Sequence, residues 1–288
     1  RADKRPGLVL SEITADIGDG PRSVLYQANL SEVFVPYMDP TEGWYWRTYM
    51  DSGEYGFGIF MSPLRAGVDC PAYATFLPAT FHTDTGEPFD IPDAICLFER
   101  NVGDPAWRHF EIFAQSETTF TPAEGRPATE LVVRYAAEVG NYDYLVDYVF
   151  DQSGRIMVRV GSTGLDAVKG VASTAMTDAT AAEDTRYGTL IAPHLVAPNH
   201  DHFFNFRLDF DIDGRDNTFM RSGIVPATAP EGVPRRSLWV VEQAMPKTED
   251  EARYTINPQT PAMYHVGNMN VTSALGHHPT YMLNPGNS

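Results

Sequence analysis

Two histidines one residue apart, His200 and His202, are the residues of this sequence whose type and spacing best suit metal binding. In a strand, side chains at positions i and i+2 project from the same face, so both imidazoles could reach one ion. Imidazole pairs suit zinc, copper, iron or nickel, and the spacing does not choose among these metals. The strand would run to about Asp213, with a polar, acid-rich opposite face. Two strand histidines without a metal are the alternative.

Tyr142 lies in a run from Glu130 to Asp151 that is dense in apolar, aromatic and β-branched residues. The run lacks proline and fits a buried strand better than an amphipathic helix. Tyr142 is therefore expected inside a sheet. The residues Asp151 to Gly154 predict a turn, and the residues Arg155 to Val160 predict the returning strand of a hairpin. Taken alone, Tyr142 could simply be a core aromatic residue.

Asp51 is a carboxylate that follows an aromatic stretch, Trp44 to Tyr49, and precedes glycines at positions 53, 56 and 58. Asp51 is thus a carboxylate embedded among aromatic residues. The alternative is a loop or cap aspartate that binds its own backbone, which is the commoner arrangement for aspartate near glycine.

Together these stretches resemble the copper amine oxidases, the quinoprotein primary-amine oxidases. Four segments carry the resemblance: Asn141-Tyr142-Asp143-Tyr144, His200-Asp201-His202, Tyr49-Met50-Asp51-Ser52-Gly53-Glu54-Tyr55 and Val35-Pro36-Tyr37. In that family the first segment contains the tyrosine that becomes topaquinone, and the second supplies two of three copper ligands. The third contains the catalytic aspartate, and the fourth contains a tyrosine that hydrogen-bonds to the quinone.

The resemblance implies a role for each matched residue. Tyr142 would be the topaquinone precursor and Asp51 the catalytic base, while Tyr37 orients the quinone, Asn141 wedges its ring and Tyr49 gates the amine channel. His200 and His202 would bind copper. The reaction implied is oxidative deamination of a primary amine by dioxygen, which yields aldehyde, ammonia and hydrogen peroxide. A non-catalytic β-sandwich relative, or an inactive fragment with a weak two-histidine metal site, is the alternative.

The family also implies features away from the quinone. Cys70 and Cys96 would form its intrachain disulfide, although two free buried thiols are the alternative. Asp209, Phe210 (through its carbonyl) and Asp211 would contribute to a second site for a calcium-like cation, unless these acids simply face solvent. Family members are homodimers, and the Pro-rich stretch from Pro226 to Arg236 resembles a hairpin arm that reaches the partner subunit. A solvated surface loop is the alternative.

The sequence departs from the family pattern in two places. Glu138 stands where the topaquinone motif usually has threonine. The third copper histidine of the family lies beyond the matched region, and His265, His277 and His278 are poor replacements. We therefore expect residues 1–288 to be a partial catalytic domain that lacks the segment with the third ligand, and we expect this chain by itself to be inactive.

Many short strands with Gly, Pro, Asp or Thr between them predict an all-β fold, a large antiparallel β-sandwich in one domain. The predicted strands are Tyr73 to Leu77, Ile95 to Arg100, His109 to Phe113, Glu130 to Ala137, Tyr144 to Phe150 and Arg155 to Val160. The net charge of −17 disfavours nucleic acid and favours cationic ligands such as amines. No apolar run is long enough to span a bilayer, so no membrane partner is expected. A disulfide between the two cysteines would favour an oxidising compartment, extracellular or periplasmic.

Overall fold

The computed structural model describes residues 1–111, 123–257 and 259–284. They form two compact units, one of Arg1–Val9 with Asn29–Arg207 and the other of Leu10–Ala28 with Leu208–Ser288. The single domain expected from the sequence stays a prediction. None of the helices in the described part of the chain has the length and apolar character needed to cross a membrane.

Strands dominate the structure, and the sheets are antiparallel, so the expected all-β class is confirmed. The strands are β1 (Ala2–Asp3), β2 (Gly7–Asp16), β3 (Pro21–Pro36), β4 (Thr48–Met50), β5 (Thr75–His82), β6 (Pro88–Phe110), β7 (Ala123–Val139), β8 (Tyr142–Asp151), β9 (Ile156–Gly164), β10 (Lys169–Gly170), β11 (Gly188–Ala192), β12 (Leu195–Pro198), β13 (Phe203–Phe210), β14 (Thr218–Thr228), β15 (Ser237–Ala244), β16 (Met263–Gly267) and β17 (Thr280–Leu283). The helical elements are a π-helical turn (Asp51–Tyr55), a 3₁₀ turn (Phe57–Phe60), α1 (Ala181–Asp184) and α2 (Glu249–Ala252).

The main sheet of the first unit has the order β5-β6-β7-β8-β9, so each strand pairs with the next one along the chain. Its inward residues are the apolar positions of the alternating pattern, and they form a buried cluster around Leu64, Cys70, Cys96, Phe98, Val132, Ala136 and Val149. Cys70 and Cys96 are joined by a disulfide within this cluster, which confirms the bridge that the family resemblance implied.

The run from Glu130 to Asp151 is two strands, as expected from the separate strands predicted at Glu130 to Ala137 and at Tyr144 to Phe150. β7 and β8 form a tight hairpin in which Val139 pairs with Tyr142 across Gly140 and Asn141. Gly140 has a φ of 64°, a left-handed conformation that glycine adopts without strain. Because the turn is only two residues long, the apolar pattern continues through it without an obvious break. Tyr142 nevertheless pairs on both sides, with Val139 and with Gly164, as expected for a residue inside a sheet.

The predicted turn and returning strand after β8 are confirmed. Asp151 and Arg155 close the turn through backbone hydrogen bonds, and β9 begins at Ile156. The predicted strand from His109 to Phe113 is the end of β6 as far as Phe110, and residues 112 and 113 lie outside the described residues.

β13 begins at Phe203, so the strand expected from His200 onward starts three residues later. His200 makes a single bridge to Tyr37, and Asp201 and His202 have no regular secondary structure. Within β13, the ring of Phe204 packs against Tyr144 at 5.5 Å and the ring of Phe206 packs against Tyr148 at 6.4 Å. These contacts join β8 and β13 face to face, as in a β-sandwich.

The other sheets have the orders β1-β2-β3-β13 with β4 paired to β3, β10-β12-β11, and β15-β14-β16-β17. In the last sheet, β14 and β15 form a long hairpin that ends with Thr228 paired to Ser237. The Pro-rich stretch from Pro226 to Arg236 therefore forms the tip of a hairpin, as predicted. Its contact with a partner subunit stays a prediction.

Candidate active site

The short ladder between β3 and β4 fixes two of the predicted tyrosines. Val35 pairs with Tyr49 and Pro36 pairs with Thr48, so Tyr37 emerges directly beyond the ladder. The Tyr37 N–H donates to the carbonyl of Arg47 at 3.0 Å. The rings of Tyr37 and Tyr49 then meet edge to face, with centroids 6.1 Å apart. This arrangement places the proposed quinone-binding residue beside the proposed gate.

The hydroxyl of Tyr142 is the centre of a hydrogen-bonded group. It lies 2.9 Å from the hydroxyl of Tyr37 and 3.0 Å from Nε2 of His200, and it accepts a bond from the N–H of Ala167 at 3.1 Å. The backbone at the end of β9 approaches Asn141 closely because the last residue of β9 is a glycine, Gly164. A Cβ at Gly164 would lie 2.4 Å from the carbonyl oxygen of Asn141. No sequence motif pointed to Ala167 or Gly164.

His200 is held by two contacts in a defined orientation. Its ring stacks on Tyr37, with centroids 4.4 Å apart and planes at 17°. Its Nδ1 lies 2.8 Å from the carbonyl oxygen of Pro198 and therefore carries the proton, because a carbonyl can only accept. Nε2 is then the unprotonated nitrogen that faces Tyr142. A histidine whose Nδ1–H is bound to a carbonyl is the usual arrangement for metal ligation through Nε2.

His202 lies beside His200, and their ring centroids are 4.9 Å apart. Nδ1 of His202 lies 2.8 Å from the hydroxyl of Tyr144. Burial, reinforced by the neighbouring His200, lowers the pKa of His202 to about 4. The imidazole is therefore neutral at physiological pH, which is the form that binds a metal. The two predicted histidines are brought together, although not by strand alternation.

The donor set fits copper(II) in its chemistry, because it consists of imidazoles close to a phenol. Within residues 1–111, 123–257 and 259–284, no group of three or more His, Cys, Asp or Glu side chains is placed to hold a metal ion. These residues thus offer two histidine ligands for copper.

The residues predicted for a second cation lie at the end of β13 and just after it. Asp209 and Phe210 close the strand, and the backbone of Asp211 binds the carbonyl of Val24 and the hydroxyl of Ser23. The second cation site at Asp209, Phe210 and Asp211 stays a prediction.

Asp51 is the first residue of the π-helical turn and is only 4% exposed. Burial raises the pKa of Asp51 to about 7, and the charges of Glu32 and Glu54 act in the same direction. A hydrogen bond from the hydroxyl of Tyr144 opposes this rise, because it stabilises the ionised carboxylate. A carboxylate that is partly ionised near neutral pH suits a general base. Its burial favours this interpretation over that of a solvent-exposed loop aspartate.

A cavity of about 350 Å³ joins these residues. Its walls include five residues predicted from the sequence: Tyr37, Tyr49, Asp51, Asn141 and Tyr142. Several other residues of the wall had no role predicted from the sequence: Arg47, Tyr55, Phe60, Tyr144 and Ala167. Of these, Tyr144 had a signal in the sequence, because it lies two positions after Tyr142 on the same strand face.

Comparisons with known proteins give consistent results. The family model described as copper amine oxidase, enzyme domain, matches residues 1–288. A primary amine oxidase of Klebsiella aerogenes is 40% identical over 287 residues, which cover 99% of this chain and 36% of the relative. The copper-containing amine oxidase gamma 1 of Arabidopsis thaliana is 40% identical over 292 residues and is covered to 40%. The chain therefore spans about two fifths of the length of these relatives.

Solved structures agree with the sequence relatives. The copper-containing benzylamine oxidase of Hansenula polymorpha aligns with a TM-score of 0.82 and 26% identity, over 99% of this chain and 42% of that one. The Aspergillus nidulans amine oxidase aligns with a TM-score of 0.80 and 29% identity, over 98% of this chain and 35% of that one.

Proposed function

Because this chain belongs to the copper amine oxidase family, we propose that it forms part of a copper- and topaquinone-dependent primary-amine oxidase. The reaction converts a primary amine, dioxygen and water to an aldehyde, ammonia and hydrogen peroxide. The observation that carries this proposal is the contact of the Tyr142 hydroxyl with Tyr37 and His200 at the wall of a cavity that also contains Asp51.

His200 and His202 would hold the copper ion through Nε2, which in His200 contacts the Tyr142 hydroxyl in this structure, while Nδ1 of each ring binds another group. We propose that the third copper ligand comes from outside the described residues. When bound, copper and the quinone formed from the Tyr142 ring supply the redox chemistry that passes electrons from the amine to dioxygen. The other steps depend on side chains of this chain.

Tyr37 would orient the ring of Tyr142 through the 2.9 Å contact between their hydroxyls. Burial, with the hydrogen bond to Tyr142, raises the pKa of Tyr37, so its hydroxyl keeps its proton at working pH and can donate. Asn141 precedes Tyr142 in the hairpin turn and lines the cavity, where it would limit movement of the ring. Tyr49 contacts Tyr37, Trp46 and Tyr55 and would gate the amine channel.

Asp51 would act as the general base. It would accept the proton from the carbon next to the amine nitrogen at a carboxylate oxygen. The cavity wall includes six aromatic side chains, and burial of Asp51 keeps its carboxylate basic. The overall charge of −17 would raise the local concentration of cationic amines around the protein.

The alternative is a relative without catalysis that retains a weak two-histidine metal site. The described residues favour it in one respect only, since they place no third ligand beside His200 and His202. A redox-cycling quinone stain of the full-length protein separates the two functions, because only the oxidase contains a quinone.

We also propose a homodimer for the full-length protein, a second cation at Asp209, Phe210 and Asp211, and an extracellular or periplasmic location. The Cys70–Cys96 disulfide supports an oxidising compartment. The acidic net charge argues against nucleic acid as a partner.

The decisive test is reconstitution of full-length apoprotein with Cu(II) under air. The protein should be colourless at first and should then develop a quinone absorbance and release peroxide from a primary amine. Tyr142→Phe conserves the ring volume but removes the hydroxyl, so it should fold normally and show neither colour nor peroxide. Tyr26→Phe, at a tyrosine that is 53% exposed, is the matched control and should behave as wild type. Peroxide release by Tyr142→Phe would show that the topaquinone assignment is wrong.

A further inference from the structure

The turn that carries Asp51 is capped from a neighbouring strand. The residue before the turn, Met50, makes no side-chain capping bond. Instead, the carboxylate of Glu32 in β3 accepts from the N–H of Ser52 at 2.8 Å and from the N–H of Gly53 at 2.9 Å. These donors are the two residues that directly follow Asp51. Backbone N–H groups at the start of a helical turn have no partner within the turn, and a carboxylate satisfies them well.

Strand register brings Glu32 to this place. The β3–β4 ladder ends where Phe34 pairs with Met50, and the chain leaves the ladder at Asp51. Glu32 lies two residues before Phe34, on the same face of β3 by strand alternation. Its side chain therefore extends under the turn just as the turn begins.

Gly53 makes the close approach possible. A Cβ at this position would lie 2.7 Å from Oε2 of Glu32, which is too short for a real contact. Any larger residue would push the carboxylate away from the N–H groups. The absence of a Cβ at Gly53 therefore allows Glu32 to bind these N–H groups.

We propose that Glu32 is a positioning residue for amine oxidation: it clamps the turn that holds Asp51 and places a negative charge beside that turn. This inference rests on the proposed role of Asp51 as the base. It assigns to Glu32 no contact with substrate.

The charges around Asp51 determine whether loss of the Glu32 charge raises or lowers the pKa of Asp51. Glu32 faces it from β3, Glu54 and Tyr55 belong to its own turn, and Tyr144 faces it from β8. Arg5 donates to the carbonyl of Gly53 from outside the turn at 3.4 Å. The negative charges of Glu32 and Glu54 add to burial in raising the pKa of Asp51, and Tyr144 has the opposite effect. Loss of the Glu32 charge should therefore lower the pKa of Asp51.

Two variants of the full-length holoenzyme separate the effect of the Glu32 charge from the effect of its hydrogen bonds to the turn. Glu32→Gln removes the charge and one acceptor, so the acid limb of the kcat/KM profile should move to lower pH by about half a unit or more. Its plateau kcat should also fall. Glu32→Asp keeps the charge on a shorter side chain, so the acid limb should stay in place while kcat falls several-fold. Glu124→Gln, an exposed residue of β7, is the control and should match wild type in both respects.

A direct titration gives a readout that does not depend on turnover. Infrared difference spectra of the resting holoenzyme follow protonation of the Asp51 carboxyl, and the band is identified by its loss in Asp51→Asn. Glu32→Gln should shift this titration in the same direction as the acid limb. If Glu32→Gln matches Glu124→Gln in both the pH profile and the infrared titration, the proposal is overturned.

Three further results decide the remaining cases. If Glu32→Gln does not fold, Gly53→Ala and Glu32→Asp test the clamp, and wild-type kcat in both would overturn it. If Asp51→Asn retains normal activity, the proposed role of Asp51 has failed, and the clamp of a catalytic base fails with it. If Asp51→Asn is inactive while Glu32→Gln is unshifted, only the inference about Glu32 has failed.

Discussion

The hydroxyl of Tyr144 lies 2.8 Å from Nδ1 of His202, and the same hydroxyl hydrogen-bonds to the carboxyl group of Asp51. A hydroxyl has one proton, so it can donate to only one of these groups at a time. When Asp51 is ionised, the hydroxyl donates to the carboxylate and accepts from Nδ1–H of His202. This arrangement leaves Nε2 of His202 unprotonated. The state of the proposed base is thereby linked to the nitrogen that a proposed copper ligand presents.

Tyr144→Phe should break this link without loss of packing, because its ring keeps its contacts with Phe57 and Phe204. Without the hydroxyl, the ionised form of Asp51 loses a donor, so the acid limb of kcat/KM should move to higher pH. His202 also loses the partner that orients its ring, and copper affinity should fall about 10- to 100-fold. The measurements are a pH profile and a competitive copper titration. A profile and an affinity equal to those of Tyr26→Phe would contradict the link.

Asp51→Asn should allow the quinone to form but should slow amine oxidation by orders of magnitude, because an amide cannot accept the α-proton. In wild type, the base must be ionised to act. Since the pKa of Asp51 is raised to about 7, kcat/KM should fall as the pH is lowered through this value. Single-turnover kinetics of quinone reduction, measured across pH 5 to 9, test both statements. A rate in Asp51→Asn close to wild type would assign the base elsewhere.

The Cys70–Cys96 disulfide should contribute to stability, since it closes a loop with a sequence separation of 26 and lies in the main core. A loop of this length corresponds to roughly 3 to 4 kcal/mol of unfolding free energy. The double variant Cys70→Ala/Cys96→Ala should lose about this amount in urea denaturation. Its stability should be the same with and without reductant, whereas the stability of wild type should depend on it. Two thiols that titrate in denatured, unreduced wild type would contradict the bridge.

The β14–β15 hairpin should be part of a dimer interface in the full-length protein. Trp239 of β15 is 65% exposed in the single chain, and exposed aromatic residues of this kind often dominate binding energy. Light scattering should give the mass of two chains, and Trp239→Ser should dissociate at protein concentrations at least about tenfold higher than wild type. Glu124→Gln, an exposed residue of β7 outside this hairpin, is the control. A monomeric wild type would contradict the predicted assembly.

Sequence patterns predicted the strand content well because alternation is a local property. The returning strand from Arg155, the hairpin around Pro226 and the all-β class all depend on neighbouring residues and were confirmed. The two strands of the Glu130–Asp151 run were also expected, and pairing extends both of them to a two-residue turn at Gly140 and Asn141.

The residue types of the site were predictable from the sequence, but the contacts between their side chains were not. Local motifs identified Tyr142, Asp51 and the histidine pair as chemically suited residues, and the cavity wall contains the first two. The histidines do converge, but from irregular backbone. His200 is fixed by stacking on Tyr37, and His202 is fixed by its bond to Tyr144.

The sequence by itself determined which side chains could do this chemistry, because motifs and alternation are properties of residues close together in the chain. Only the tertiary structure decided which of them touch. Tyr142 meets Tyr37 across 105 positions and His200 across 58, and Glu32 meets the turn of Asp51 across about 20. Such contacts depend on the register of paired strands and on the packing of one sheet on another. Neither quantity can be read from a short stretch of sequence, since a one-residue shift in register would turn each side chain to the opposite face.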